Sequence, residues 1–130
     1  MSQQARILVV DDELPLLNNI TSILELFGFQ CIRANSGYEG LIQAIAEQPD
    51  LVVCDVMMPG IDGYGLLKML RNYPATKNLP FIFLTALADV IDRKKGMEHG
   101  ANAYLTKPFN TKELVDLVKL VLADPMQFRL

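Results

Sequence analysis

Short apolar runs alternate with segments of helical spacing along nearly the whole chain. The runs are ARILVV (5–10), FQCIRA (29–34), DLVVCD (50–55), PFIFLT (80–85) and NAYLT (102–106). After the first run come Leu17, Ile20, Leu24 and Phe27, at steps of three, four and three, which is the period of one helix face. The second helical segment carries Tyr38, Leu41, Ile42 and Ile45 behind Ser36 and Glu39, a capping-box pair. A third opens at Asp62 and stops before Pro74. A fourth spans about Leu87 to Glu98 and ends at Gly100, a residue suited to a left-handed cap. The fifth starts at Asn110, with Glu113 in the reciprocal capping position, and carries Leu114, Leu117, Val118 and Val121. Strand then helix, five times over, predicts an α/β fold: a doubly wound five-stranded parallel sheet with helices on both faces. The first, third and fourth runs lack in/out alternation, as expected of strands covered on both sides.

The 130 residues suit one domain, and half of them are apolar, so a core can form without disulfide or structural metal. Cys31 and Cys54 lie inside apolar runs and lack metal-ligand spacing, which predicts reduced, buried thiols in a cytoplasmic protein. A net charge of −3 gives no reason for direct nucleic-acid binding. No apolar run approaches the roughly 18 residues of a membrane span, and the N-terminus lacks a signal-peptide core. The tail DPMQFRL (124–130) reads as disordered or as the start of a linker.

Ligands of open parallel sheets bind beyond the carboxyl ends of the strands. At those ends this sequence has Asp11 and Asp12, Asp55, Thr85 and Lys107. Crowded carboxylates repel one another unless a cation intervenes. Mg²⁺ suits such a set, because it takes few protein carboxylates and keeps waters that phosphate oxygens can replace. A hydroxyl and an ammonium complete a ring able to hold a phosphoryl group. Asp55, at the end of a stiff buried run, is placed to attack phosphorus; a carboxylate has no proton to lose, so no neighbouring base is required.

On these residues the chain resembles the receiver domains of two-component response regulators, of the chemotaxis-regulator type. VVDDE (9–13) matches the acidic pair, and DVMMPGIDG (55–63) the phosphoacceptor and its loop. TA (85–86) matches the switch threonine with its small neighbour, and KPF (107–109) the lysine before proline. Each motif alone is weak. Together, in order and spaced 44, 30 and 22 residues from Asp11 through Asp55 and Thr85 to Lys107, they are specific. The resemblance covers about residues 5–123 and implies a receiver domain over 1–123. It implies a flavodoxin-like (βα)₅ fold with strand order 2-1-3-4-5. It also implies Mg²⁺-dependent transfer of a phosphoryl group from a histidine kinase or phosphotransfer protein to Asp55. Metal ligands would be Asp11, Asp12, Asp55 and the backbone carbonyl of Met57. Thr85 and Lys107 would assist the chemistry, with Thr85 and Tyr104 as the switch pair. An output domain or a second copy would dock on the face of the fourth helix, fifth strand and fifth helix. Met57 and Leu87, two positions beyond the phosphoacceptor and the switch threonine, would flank the hydrolytic water. Neither side chain can orient that water, which implies slow dephosphorylation.

Plainer roles exist for the same residues. Asp11 and Asp12 can serve the first helix N-terminus. Thr85 can be an ordinary strand-end residue, Lys107 a solvated lysine, Tyr104 core, and Met57 and Met58 loop packing. His99 fits a helix C-terminus, and DRKKG (92–96) a solvated face. Two other chemistries share the topology. A haloacid-dehalogenase-like phosphatase needs a second acid two residues after the nucleophile, where this chain has Met57. A flavin-binding flavodoxin-like domain needs a hydroxyl-rich phosphate loop where this chain has acids. The P-loop motif is missing altogether. The sequence leaves open whether the domain acts alone or precedes a DNA-binding or enzymatic output.

Overall fold

The computed structural model describes residues 4–86, 94 and 100–125. Five parallel strands form one sheet in the order β2-β1-β3-β4-β5: β1 (Arg6–Val10), β2 (Gln30–Ala34), β3 (Leu51–Asp55), β4 (Phe81–Thr85) and β5 (Ala103–Thr106). The described helices are α1 (Leu14–Leu26), α2 (Gly37–Glu47), α3 (Gly63–Arg71) and α4 (Thr111–Ala123). Helix α4 is therefore the fifth helical segment of the sequence. The fourth, 87–98, lies outside the described residues apart from the exposed, helical Lys94, as do Leu87 and His99. The expected strand order and the α/β architecture are both present.

The three inner strands are buried on both faces, whereas edge strands β2 and β5 are only partly covered. On one face Leu17, Ile20 and Leu24 of α1 and Leu114, Val118 and Val121 of α4 pack on Ile7, Val9, Leu51, Val53, Ile82 and Leu84. On the other, Leu66, Leu67 and Leu70 of α3 and Ala44 of α2 pack on Leu8, Val10, Val52, Cys54, Phe81 and Phe83. Burying one such side chain is worth about 1.5–3 kcal/mol, so these two layers fasten the helices to the sheet whose strand ends form the site.

Several expectations are corrected. Phe27 is not on the buried stripe of α1; it is the half-exposed residue that ends that helix. Tyr38 and Ile42 of α2 face solvent, and the helix instead buries Gly37, Gly40 and Ala44. Small residues win because the helix lies so close: a Cβ on Gly37 would stand 2.3 Å from the Ile61 carbonyl oxygen, and one on Gly40 3.1 Å from Val10 and Leu66. Ser36 Oγ accepts from Glu39 N–H at 3.1 Å, but Glu39 reaches back to Asn35 N–H, so the second half of that box is displaced by one residue. The Asn110–Glu113 box is complete. Cys54 is fully buried; Cys31 is only half-buried, and burial still pushes its thiol up to about 12.

Candidate functional site

The strand order reverses between β1 and β3, and the acids gather there. Asp11 continues β1 by one residue, its N–H donating to Ala34 O at 3.1 Å. Its Oδ1 accepts from Glu13 N–H at 2.9 Å, so Asp11 does serve the entrance of α1, although the capping position itself falls to Glu13, whose side chain makes no cap bond. Asp12 is exposed. Asp55 ends β3, 5 % exposed, and backbone N–H groups of Met57 and Val56 hydrogen-bond to its carboxylate. One carboxylate oxygen from each of Asp11, Asp12 and Asp55 lies within 4.8 Å of the others.

Lys107 faces this cluster from the end of β5, after which its peptide bond to Pro108 is cis. Its Nζ stands 3.4 Å from Asp55 Oδ2 and 3.7 Å from Asp11 Oδ2. Its backbone N–H donates to Thr85 O at 2.7 Å, which pins the lysine to the tip of β4. Thr85 is fully buried, and strand alternation puts it on the same face as Phe83. Tyr104 pairs with Phe83 in register and tilts against its ring at 5.8 Å, partly buried. The sequence-derived residues Asp11, Asp12, Asp55 and Lys107 are thus brought together, with Thr85 joined to Lys107 by a hydrogen bond. Met57 lies next in the loop with its side chain 64 % exposed, while Met58 is packed into the core.

Burial raises both Asp11 and Asp55 above the ordinary carboxylate value, and the Lys107 ammonium only partly opposes this. Three ionised carboxylates beside one ammonium leave two negative charges in a half-dry cleft. Asp11 Oδ2 is buried and accepts no hydrogen bond, and Lys107 Nζ at 3.7 Å is too far to donate one. A buried carboxylate oxygen without a hydrogen bond is costly, and one shared ammonium does not balance three acids. This donor set fits a hard divalent cation held by oxygen ligands.

The loop after Asp55 is fixed by glycine. Gly63 donates to Val56 O at 2.8 Å, and a Cβ there would stand 2.4 Å from Asp55 O and 2.9 Å from Val56 Cα. Asp62 then caps α3, accepting from Gly65 N–H at 2.8 Å.

Residues 7–119 match the family model described as the response regulator receiver domain. This chain belongs to that family. It is 45 % identical over 121 residues to the ycf27 protein of Porphyra purpurea, named as a probable transcriptional regulator, covering 93 % of this chain and 49 % of that protein. It is 41 % identical over 118 residues to the phosphate regulon transcriptional regulatory protein PhoB of Klebsiella pneumoniae, covering 90 % and 51 % respectively. The receiver chain thus spans about half the length of the curated relatives it matches. Among solved structures it resembles a response regulator of Chloroflexus aurantiacus (TM-score 0.89, 44 % identity, 93 % of this chain and 99 % of that one). It also resembles the chemotaxis protein CheY4 of Vibrio cholerae (TM-score 0.88, 28 % identity, 92 % and 99 %). The receiver family is regulatory, works with histidine kinases, and carries an acidic Mg²⁺ pocket; the acidic cluster of this receiver lies where strand order reverses. No described helix is long and apolar enough to cross a membrane.

Sequence reasoning missed Gly63 as the residue that lets the loop close onto Asp55. It also missed Asn102, a buried polar residue at the foot of β5. Its signal was an amide interrupting the apolar run NAYLT at its first position.

Proposed function

We propose that Asp55 is the phosphoacceptor of a two-component phosphorelay, taking a phosphoryl group from the phosphohistidine of a sensor histidine kinase or phosphotransfer protein. The observation that carries this is the buried Asp55 carboxylate with Lys107 Nζ at 3.4 Å and the carboxylates of Asp11 and Asp12 within 4.8 Å. An Asp55 oxygen forms the new bond to phosphorus as the phosphorus–nitrogen bond breaks and its electron pair returns to the imidazole. Mg²⁺, held by Asp11, Asp12, Asp55 and the Met57 carbonyl, would supply the positive charge that lets two anions meet. Lys107 neutralises a phosphoryl oxygen, and the Thr85 hydroxyl turns toward it. Tyr104 then fills the space that Thr85 leaves, a population shift between two packings.

The domain promotes its own phosphorylation and dephosphorylation, and its output is a changed surface. Residues 1–123 form the receiver, and 124–130 begin a tail or linker. The β5 and C-terminal helix face, together with the fourth helical segment, would meet an output domain or a second copy. The relatives' names favour a transcriptional output over an enzymatic one. Kinase-dependent signalling of this kind belongs in the cytoplasm, and the receiver itself contacts neither nucleic acid nor membrane.

Small phosphodonors with Mg²⁺ should add one phosphoryl group to the wild type, read by intact-mass spectrometry. Asp55→Asn should add none. Equal labelling of the variant would move the acceptor elsewhere.

A further inference from the structure

The pole opposite Asp55 contains a polar node that the phosphorylation chemistry does not use. Asn102 is 1 % exposed, and its backbone N–H, side-chain oxygen and side-chain amide are each hydrogen-bonded. Its backbone N–H donates to Phe81 O at 2.8 Å, and its Oδ1 accepts from Phe81 N–H at 2.9 Å. This closes the foot of β4 onto the start of β5. Its side-chain Nδ2 then donates to Pro125 O at 2.8 Å, beyond the end of α4. The turn before Asn102 is held from a third element, because Arg71 Nη2 of α3 donates to Gly100 O at 2.8 Å.

We infer that Asn102 is the positioning residue that sets where, and in which direction, the polypeptide leaves the receiver. Helix α4 ends at Ala123, and the Asp124 N–H still bonds to Leu120 O at 3.2 Å. One residue later the backbone passes from the helix to the sheet, because Pro125 gives its carbonyl to Asn102. The departing chain is therefore referenced to β4 and β5, not to the helix alone. Phe81 and Thr85 are the two ends of one five-residue strand, and Asn102 lies two residues before Tyr104. The exit thus shares its framework with the residues proposed above as the switch. A buried amide is needed here because it must accept from one backbone and donate to another. Aspartate of the same shape keeps the first contact and, when ionised, turns the second into a repulsion between oxygens. Asn102 makes the exit a fixed pivot whether the five residues after Pro125 are all that follows or lead into an output module.

The test uses the full chain. In wild-type protein, nuclear magnetic resonance should detect a through-hydrogen-bond coupling from the Asn102 side-chain amide to the Pro125 carbonyl, and slow exchange of that amide. In Asn102→Asp, backbone order at Asp124 and Pro125 should fall from the rigid range, about 0.85, to below about 0.6, while exchange protection within β1, β3 and β4 is retained. Loss of protection throughout the sheet would mark a merely structural residue and would overturn the assignment. Unchanged order at 124–125 in the variant would also overturn it. Absence of the wild-type coupling would refute the pivot outright, whatever the variant does.

Discussion

Replacing Asp11 by Asn removes one charge from the acidic cluster and keeps an oxygen for the Glu13 N–H. At an effective dielectric of about 20, the 3.7 Å contact of Asp11 with Lys107 is worth about 4.5 kcal/mol. Repulsion from the Asp55 carboxylate, within 4.8 Å, is worth at least about 3.5 kcal/mol on the same scale. The exposed Asp12 adds a smaller repulsion, because solvent screens it. Attraction and repulsion nearly cancel, and desolvation, the largest influence on Asp11, tips the sum against the charged form. Without metal, Asp11→Asn should therefore be more stable than wild type by about 1–2 kcal/mol, or about 4–8 °C in Tm. Mg²⁺ at a hundred times its Kd should stabilise wild type by about 2.7 kcal/mol and the variant by much less, so the order reverses. Thermal unfolding in chelator and in Mg²⁺ reads both arms. The pH dependence has a definite sign. A carboxyl raised in the folded state binds protons that the unfolded chain releases, so its contribution is favourable at low pH and is lost as pH rises through the folded pKa. Metal-free wild type should thus gain from Asp11 and Asp55 as pH falls from neutral toward the ordinary value of 3.8, and Asp11→Asn should gain less. A variant less stable than wild type in chelator, or one with an undiminished Mg²⁺ shift, would refute the charge accounting.

Three further outcomes are expected. Gly63→Ala must push a methyl group into the Asp55 and Val56 backbone, so it should cost about 1–3 kcal/mol by urea titration and slow the labelling of Asp55. Met57→Asn combined with Leu87→Glu should shorten the phosphate's life about 10-fold, a barrier change of about 1.4 kcal/mol, timed after removal of the donor; equal lifetimes would show that these side chains do not govern water access. Beryllofluoride with Mg²⁺ should change hydrogen-exchange protection in β4, β5 and α4 more than in β1 and α1; an even response would indicate a module without a switch.

Inner-strand burial and the convergence of Asp11, Asp12, Asp55 and Lys107 were legible in the sequence, because hydrophobic periodicity and motif order are one-dimensional signals that survive folding. Strand order followed from the resemblance to receiver domains, since pairing between non-adjacent strands leaves no periodic mark. Helix α2 was misread in its details for a physical reason. Close approach selects for small side chains, so Gly37, Gly40 and Ala44 form the buried face that a hydrophobicity pattern assigns to Tyr38 and Ile42. Gly63 was hidden in the same way, since its purpose is to have no side chain. The missing hydrogen bond at Asp11 Oδ2 was not legible either, because it is a property of three-dimensional neighbours.

The hydrogen bond from the Lys107 backbone to Thr85 O has a consequence for engineering. The ammonium that faces Asp11 and Asp55 and the main-chain contact that grips β4 belong to one residue but to different bonds. Truncating the lysine side chain would remove the ammonium and leave the main-chain contact intact. The charge that faces the acids and the hold on β4 can therefore be separated by substituting one side chain.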